Sequence, residues 1–388
     1  MSRRGSVRKQ PNGAWSFVAD VAPGGAMRHQ VRKRGFATRK EAQTALNELL
    51  GDLQAGTFVA PDRTTLDEYL AEWMSALPTS GRSESTMSSY RHNLRLHVLP
   101  YIGSVRLQEL GPLDLDRLYA RLRTTGRRNG GSGALSARTV RYIHTILSAA
   151  LTDAVKKGLL IRNPAVAASP PSAKAARPPE MAWWRPEELE TFLDHVRADP
   201  MSALIHLAAM TGMRRGEVVG LCWPDVDLDR RRLLVQRQLT STDNRLRWDS
   251  PKSDRGRRVI DLDAETDGLL RSFRAAGGAD RRGTHVTPHV VFGRADGQPL
   301  HPETVSATFD KLVRTSGLPR IRFHDLRHTH AAHLIAAGVD PLTISRRLGH
   351  ASVAFTLDRY GHLGEQAGAS AAQAVADLLR RSPPQPPR

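Results

Sequence analysis

The sequence predicts a mainly α protein with small β-sheets, built from an N-terminal ββ(β)α module, a helical domain and a mixed α/β domain. Its 388 residues exceed what one ordinary hydrophobic core holds. Apolar residues recur at three- and four-residue steps over long stretches, which indicates helices, whereas a few short stretches alternate apolar and polar residues as strands do. A segment rich in Pro, Ala and Ser separates the last two domains.

The first module is expected over residues 1–60. The strand AWSFVADV carries on one face Trp15, Phe17, Ala19 and Val21. The sequence PGG predicts a turn, and MRHQVRKRGF then continues as an extended run with a basic face. Thr38 and Glu41 form a T-x-x-E capping box, which predicts that the helix KEAQTALNELLGDLQ begins there.

The helical domain is expected over residues 64–162. Thr65 and Glu68 form a second capping box before LDEYLAEWMSAL. A later helix ends at Gly158 and carries its apolar face on Val140, Ile143, Leu147, Leu151 and Ala154. Before it, RTTGRRNGGSG (123–133) predicts a basic, glycine-rich loop.

Residues 163–181 predict a semi-extended linker. The mixed domain is expected over residues 182–380 and opens with the helix RPEELETFLDHV, which has proline in its first turn. Within it, RRLLVQRQLT and GRRVIDL predict strands. The tail RSPPQPPR (381–388) is expected to be disordered.

Charge and cysteine content limit the possible binding partners and the cellular compartment of the protein. The formal net charge is +18, from 57 Lys and Arg against 39 Asp and Glu, which favours a polyanionic partner. The single cysteine, Cys222, excludes a disulfide framework and indicates a reducing compartment. No apolar run is long enough to cross a bilayer and no signal peptide is evident, so we expect a cytoplasmic protein that does not associate with membranes.

Basic residues of the first module and of the glycine-rich loop are therefore candidate DNA contacts, although a solvated basic hairpin is the alternative for the module. The candidates are Arg28, Arg32, Lys33, Arg34, Arg127 and Arg128.

A cluster of imidazoles occurs in RFHDLRHTHAAH (322–333). Its spacing would allow two metal ligands on a helix, but arginines lie inside the cluster and no cysteine is near, so we expect no metal. His324 and Arg327 are three residues apart and share a helical face, which suits an oxyanion such as phosphate. His328, His330 and His333 are expected to pack the helix or to support the site.

Five further candidate residues lie in the same domain, and all of them except Glu217 have side chains that suit phosphate chemistry. MTGMRRGEVVGL holds Arg214 and Glu217, and SPKSDRGRRV holds Lys252 in a loop before a strand. RRLGHASVAFTLDRYGH holds His350 and, ten residues later, Tyr360.

In these motifs the sequence resembles the tyrosine recombinases, the phage-integrase family. The resemblance rests on TGMRRGEVVGLCWPDVD, SPKSDRGRRVIDL, GLPRIRFHDLRHTHAAHLIAAGVD and LGHASVAFTLDRYGH, in the family's order. It also covers residues 64–162, which resemble the family's SAM-like core-binding domain through HVLPYIGSVRLQEL and the NP at their end. Residues 1–60 resemble arm-type DNA-binding modules more loosely. Domain 182–380 would then be the catalytic domain.

The resemblance implies the role of each site residue. Tyr360 would attack the scissile phosphate and form a 3′-phosphotyrosyl bond, and Arg214 and Arg327 would hold its non-bridging oxygens. Lys252 would protonate the leaving 5′-oxygen, His324 would assist proton transfer at the tyrosine, and His350 would donate a hydrogen bond to the phosphate. Glu217 would orient the site without contacting substrate.

The implied function is a site-specific recombinase, an integrase of a phage or integrative element, that needs no cofactor. Its partners would be double-stranded DNA attachment sites, bound by a homotetramer, with accessory DNA-bending or excision factors. Alternatives are a chromosome dimer-resolution recombinase, a type IB topoisomerase, and a non-catalytic architectural DNA-binding protein.

Overall fold

The computed structural model describes residues 5–21, 30–56, 58–126, 133–178, 181–242, 245–251, 256–277, 289–350, 352–354 and 357. Two compact units divide the chain, Met1–Pro178 and Pro179–Arg388. Helices predominate over small antiparallel sheets in the described residues, so the predicted fold class is confirmed. No helix in these ranges combines the length and the apolar character that a membrane span requires.

The first unit begins with a three-stranded antiparallel sheet in the order β1-β2-β3, packed on a helix. Its elements are β1 (Gly5–Lys9), β2 (Trp15–Asp20), β3 (Gln30–Phe36) and α1 (Arg39–Ala55). Phe17 and Ala19 of β2 pack against Leu46 and Leu49 of α1. Thr38 caps α1 by accepting a hydrogen bond from the Glu41 amide at 3.2 Å.

The strand register distributes the basic residues of β3 over both faces of this sheet. Arg32 pairs with Val18 and Arg34 with Ser16, so both arginines lie on the face opposite α1. Arg8 of β1 pairs with the same Ser16 and joins them. We call the side of the sheet opposite α1, which carries Arg8, Arg32 and Arg34, the open face. Lys33 pairs with Phe17 and therefore points to the side of the helix.

Five α-helices follow in the part of the first unit that the structure describes. They are α2 (Leu66–Ala76), α3 (Glu84–His97), α4 (Leu99–Ile102), α5 (Pro112–Thr125) and α6 (Ala137–Lys156). The capping box of Thr65 and Glu68 is confirmed in both of its hydrogen bonds. The predicted apolar face of α6 is confirmed as well, since all five of its residues are fully buried.

The first part of the predicted linker packs on these helices instead of extending from them. The Asn163 amide donates to the Ser148 carbonyl at 3.0 Å, and Ala165 is buried. Further on, Arg141 of α6 donates to the Pro171 carbonyl at 2.9 Å. Hydrogen bonds to α6 therefore fix a stretch whose composition alone indicates a spacer.

Among the described residues of the second unit, helices and two small sheets surround one large core. Its helices are α7 (Pro186–His195), α8 (Ser202–Thr211), α9 (Arg215–Val219), α10 (Ala264–Ala275), α11 (Pro302–Thr315), α12 (Asp325–Ala336) and α13 (Pro341–Leu348). Its strands are β4 (Val226–Asp227), β5 (Arg232–Val235), β6 (Gln238–Thr242), β7 (Arg245–Asp249) and β8 (Arg258–Asp261).

The strand prediction for GRRVIDL is confirmed by β8, but RRLLVQRQLT is not one strand. It divides into β5, which joins the sheet β4-β5-β8, and β6, which forms a separate hairpin with β7. Between β5 and β6, Gln236 and Arg237 both donate to the buried carboxylate of Asp225, and this contact turns the chain out of the sheet β4-β5-β8.

Trp184 fixes the start of the second unit to the residues before and within α12. Its backbone amide donates to the Thr329 hydroxyl at 3.1 Å, and its indole donates to the Pro319 carbonyl at 2.9 Å. Its own carbonyl lies 2.9 Å from Nε2 of His333. The ring is completely buried.

Helix α9 lies directly on the backbone of β6, and its glycines permit this approach. A Cβ atom at Gly216 would lie 2.7 Å from the Leu239 carbonyl oxygen, and one at Gly220 would lie 2.8 Å from the Leu239 nitrogen. Both distances are too short for a carbon atom beside backbone.

We expect Gly216→Ala to lower the free energy of unfolding by about 1–3 kcal/mol, because the new methyl group pushes α9 from β6. Urea denaturation measures this. Gly268→Ala is the matched control: Gly268 is exposed within α10 with no atom within 4 Å of a new Cβ. That control should stabilise the protein by about 0.5–1 kcal/mol, and equal effects of the two substitutions would contradict the packing argument.

Candidate active site

Arg214 stands at the turn between α8 and α9. Gly212 ends α8 in the left-handed conformation, with φ of 63°, and Arg214 is the N-cap residue of α9. Its backbone amide donates to Oε2 of Glu217 at 2.9 Å, and its Nη1 donates to Oε1 at 2.8 Å. The arginine side chain is 36% exposed, so it is fixed at its base and remains accessible to a ligand.

Arg327 brings the second guanidinium to the same place from α12. It is buried, and it donates to the Gly212 carbonyl at 2.8 Å and to the Leu348 carbonyl at 2.7 Å. Arg214 donates to the next carbonyl, that of Gly349, at 2.9 Å. Two arginines 113 positions apart in the sequence are thus attached to consecutive carbonyls at the end of α13.

His350 follows immediately after these carbonyls. Gly349 takes the left-handed conformation, with φ of 67°, and the amide of His350 donates to the Ser345 carbonyl at 3.0 Å. Burial, and then the guanidiniums of Arg327 and Arg214, lower the pKa of His350 to about 3. The imidazole is therefore neutral near neutral pH and adds no charge to the site.

His324 occupies the N-cap position of α12, one turn before Arg327. Taken as a whole residue, His324 is exposed at the surface. Partial enclosure of the ring, followed by the charge of Arg327, lowers the pKa of His324 below its ordinary value. Its ring packs edge-to-face on His328, with centroids 5.2 Å apart. A neutral imidazole at this position can accept a proton.

Glu217 is buried between two arginines. Arg258 of β8 donates to its Oε2 at 2.9 Å and to its Oε1 at 3.2 Å, opposite the contacts from Arg214. Burial raises the pKa of Glu217, but the hydrogen bonds and charge of Arg258 and then the charge of Arg214 outweigh it, so the pKa is lowered. The carboxylate is ionised and holds both guanidiniums.

Arg258 is a residue that our sequence reasoning missed. The motif DRGRR offers several arginines, and composition does not distinguish them. Strand alternation does provide a signal, because Arg258 shares the inward face of β8 with Ile260, whereas Val259 and Asp261 point outward. An arginine on the buried face of a strand indicates a buried ionic partner.

The remaining histidines of the cluster contact protein groups. His330 is buried and accepts a hydrogen bond from Nε of Arg347 at 3.1 Å. Burial and then the Arg347 charge lower the pKa of His330 to about 3. His333 contacts the Trp184 carbonyl. Within the described ranges no group of three or more His, Cys, Asp or Glu side chains is arranged to hold a metal ion.

The structure thus brings together Arg214, Glu217, Arg327 and His350, with His324 at the start of the helix that carries Arg327. Lys252 and Tyr360 lie outside the described residues, as do Arg28, Arg127 and Arg128. The described site can hold an anion, since two fixed guanidiniums converge beside neutral imidazoles.

Three family models match the chain in succession. They are the arm DNA-binding domain over residues 6–53, the N-terminal SAM-like domain of phage integrases over 65–123, and the phage integrase family over 182–367.

Similar proteins extend over almost the full length. The ICEBs1 integrase of Bacillus subtilis is 28% identical and aligns over 96% of this chain and all of its own. A XerC-like tyrosine recombinase of Caldanaerobacter subterraneus is 24% identical over 90% of this chain and 92% of its own. Among solved structures, the Tn1549 transposon integrase in complex with a circular intermediate DNA superposes with a TM-score of 0.67 at 20% identity, covering 80% of this chain and 99% of that one.

The chain belongs to the phage integrase family of tyrosine recombinases. It is a site-specific integrase, an enzyme that breaks and rejoins DNA strands. The interpretation inferred from the order of the motifs is therefore confirmed, and it is favoured over the dimer-resolution and architectural alternatives.

We expect His330 to make stability depend on pH. Between about pH 6.5 and about pH 3 the unfolded chain binds a proton at His330 that the folded protein excludes, so the free energy of unfolding falls as the pH falls through this window. In His330→Gln this slope should be smaller by up to about 1.4 kcal/mol per pH unit. Urea midpoints across the window measure it, and values at about pH 7.5 give the pH-independent cost of the substitution. Parallel profiles for the two proteins would contradict a neutral, buried His330.

Proposed function

We propose that this integrase cleaves DNA with Tyr360 as nucleophile in a phosphate site built on Arg214 and Arg327. The observation that carries the proposal is the attachment of both guanidiniums to the adjacent carbonyls of Leu348 and Gly349, directly before His350. Tyr360 follows ten residues later in the sequence. A phosphodiester repels nucleophiles until its charge is balanced, and fixed guanidiniums supply that balance.

The proposed step forms one bond and breaks one. The Tyr360 oxygen bonds to phosphorus, its proton passes toward His324, and the bond from phosphorus to the 5′-oxygen breaks. Lys252 gives the leaving 5′-oxygen its proton. The 3′-phosphotyrosyl ester conserves the bond energy, so a 5′-hydroxyl from another strand can attack it and release the tyrosine without nucleotide hydrolysis.

The two histidines have separate roles in this proposal. His350 is neutral, because burial and two guanidiniums lower its pKa to about 3, and it hydrogen-bonds the phosphate without adding charge. His324 is exposed at the start of α12 and shares the proton of the nucleophile. Glu217 orients Arg214 through two hydrogen bonds and has no contact with DNA in this scheme.

We further propose that the substrate is a pair of double-stranded attachment sites held by four protomers, with accessory DNA-bending or excision factors, in the cytoplasm at the nucleoid. Residues 1–60 would bind arm sites, 64–162 would bind core sites and 182–380 would perform catalysis. The net charge of +18 supports contact with long DNA. The open face of the first sheet supports the arm role, since it carries Arg8, Arg32 and Arg34.

Tyr360→Phe should abolish covalent attachment to a nicked suicide substrate while leaving DNA binding unchanged, because only the attacking oxygen is lost. Denaturing gels measure the adduct and gel shifts measure binding. Arg214→Ala should slow adduct formation by about 10²–10³-fold, as expected when one transition-state donor is removed.

Absence of an adduct with the wild-type protein on its own attachment sequence would overturn the proposal and favour an architectural role. An adduct that persists in Tyr360→Phe would assign the nucleophile elsewhere. Relaxation of plasmids that lack an attachment site would instead favour a topoisomerase.

Arg32→Ala and Arg34→Ala should each weaken binding to arm-site DNA and reduce the salt dependence of the binding constant by about one released ion, because each removes one phosphate contact. Lys33→Ala removes the same charge from the helix side of the sheet and is the matched control, with a smaller effect expected. Binding titrations at several salt concentrations test this. Equal losses for the three variants would mean that charge alone, and not the open face, binds the DNA.

A further inference from the structure

Arg258 contacts three segments that lie close in sequence to proposed site residues. Its Nη2 and Nη1 donate to Glu217 of α9, the helix that Arg214 caps. Its Nε donates to the Arg347 carbonyl at 2.6 Å, three residues before His350. Its Nη1 also donates to the Gly256 carbonyl at 3.0 Å, four residues after Lys252. One guanidinium thus links α9, the end of α13 and the start of β8.

The link to Arg214 is direct and nearly symmetric. Each oxygen of Glu217 accepts one hydrogen bond from Arg214 and one from Arg258. The Arg258 side chain is only 6% exposed, and that of Glu217 is 1% exposed. Arg258 therefore lies too deep to contact DNA, and any influence on the reaction passes through the groups that it holds.

The charge of Arg258 balances that of Glu217. Without Arg258, the Glu217 carboxylate would have Arg214 as its sole partner among these contacts. It would draw the Arg214 guanidinium inward and neutralise its charge. With two guanidiniums sharing one carboxylate, a net positive charge remains for an anionic ligand. Geometry also matters, because the forked guanidinium reaches three acceptors at once and a lysine ammonium does not reproduce this arrangement.

We propose that Arg258 is a positioning residue for DNA cleavage: it fixes Glu217 so that Arg214 keeps both its place and its charge for the scissile phosphate. The inference rests on the role proposed above for Arg214. It makes the buried Arg258–Glu217 pair part of the reaction as well as part of the fold.

The experiment compares single-turnover cleavage of two nicked suicide substrates at saturating enzyme. One carries an ordinary scissile phosphodiester, and the other carries a methylphosphonate, in which a methyl group replaces an anionic non-bridging oxygen. Because the neutral substrate has less charge to balance, it needs less from Arg214. Each variant is compared with the wild type on the same substrate.

Arg258→Met should slow cleavage of the phosphodiester by about tenfold or more. This loss should be smaller than that caused by removing a direct donor, which is about 10²–10³-fold. On the methylphosphonate its loss should be several times smaller. Arg257→Met is the matched control, since Arg257 is adjacent in sequence, is exposed just before β8, and donates to Gln236 instead of Glu217. We expect Arg257→Met to cleave both substrates at the wild-type rate.

Equal losses on the two substrates, or no loss on either, would overturn the inference, because a residue that only stabilises the fold does not distinguish the charge of the phosphate. If thermal unfolding shows that Arg258→Met is not folded at the assay temperature, the same comparison is made with Arg258→Lys, which keeps the charge and loses the fork. Failure of the proposed function is distinguishable, since wild type would then form no adduct on the phosphodiester.

Discussion

The end of helix α13 is the point on which the described site depends. A helix leaves its last carbonyls without partners inside the helix, and its dipole places negative charge there. In this protein three consecutive carbonyls at that end accept hydrogen bonds from three different guanidiniums, at Arg347 from Arg258, at Leu348 from Arg327 and at Gly349 from Arg214. Arginines from separate parts of the sequence are gathered because one helix end offers them acceptors within a single turn.

Gathering like charges costs free energy, and the surroundings limit that cost. One carboxylate, Glu217, lies between two of the guanidiniums, and carbonyl dipoles solvate the third. The same excess of positive charge reinforces burial in keeping His350 neutral, since a further proton would add to the repulsion. The site is therefore organised for an anion before the anion arrives, which is the arrangement that lowers the reorganisation needed in a transition state.

Much of this protein could be predicted from sequence where the signal is local. The capping box at Thr65 and the apolar spacing of α6 need only a few neighbouring residues, and long ordered motifs identify the family. What sequence did not disclose depends on distant contacts. RRLLVQRQLT divides into two strands because of Asp225, and Lys33 leaves the basic face because of its pairing with Phe17. Arg258 escaped notice because its carboxylate partner is 41 residues away.

The anchoring of Trp184 has a mechanical consequence. The incoming chain is tied through this residue to the Pro319 carbonyl and to Thr329 and His333 of α12. Tension on the chain that precedes it would be borne by three hydrogen bonds and a buried indole, and would reach first the helix that carries Arg327. A pull on the incoming chain is therefore transmitted to α12, which is joined to the end of α13 by the hydrogen bonds Arg327–Leu348 and Arg347–His330 and by apolar packing.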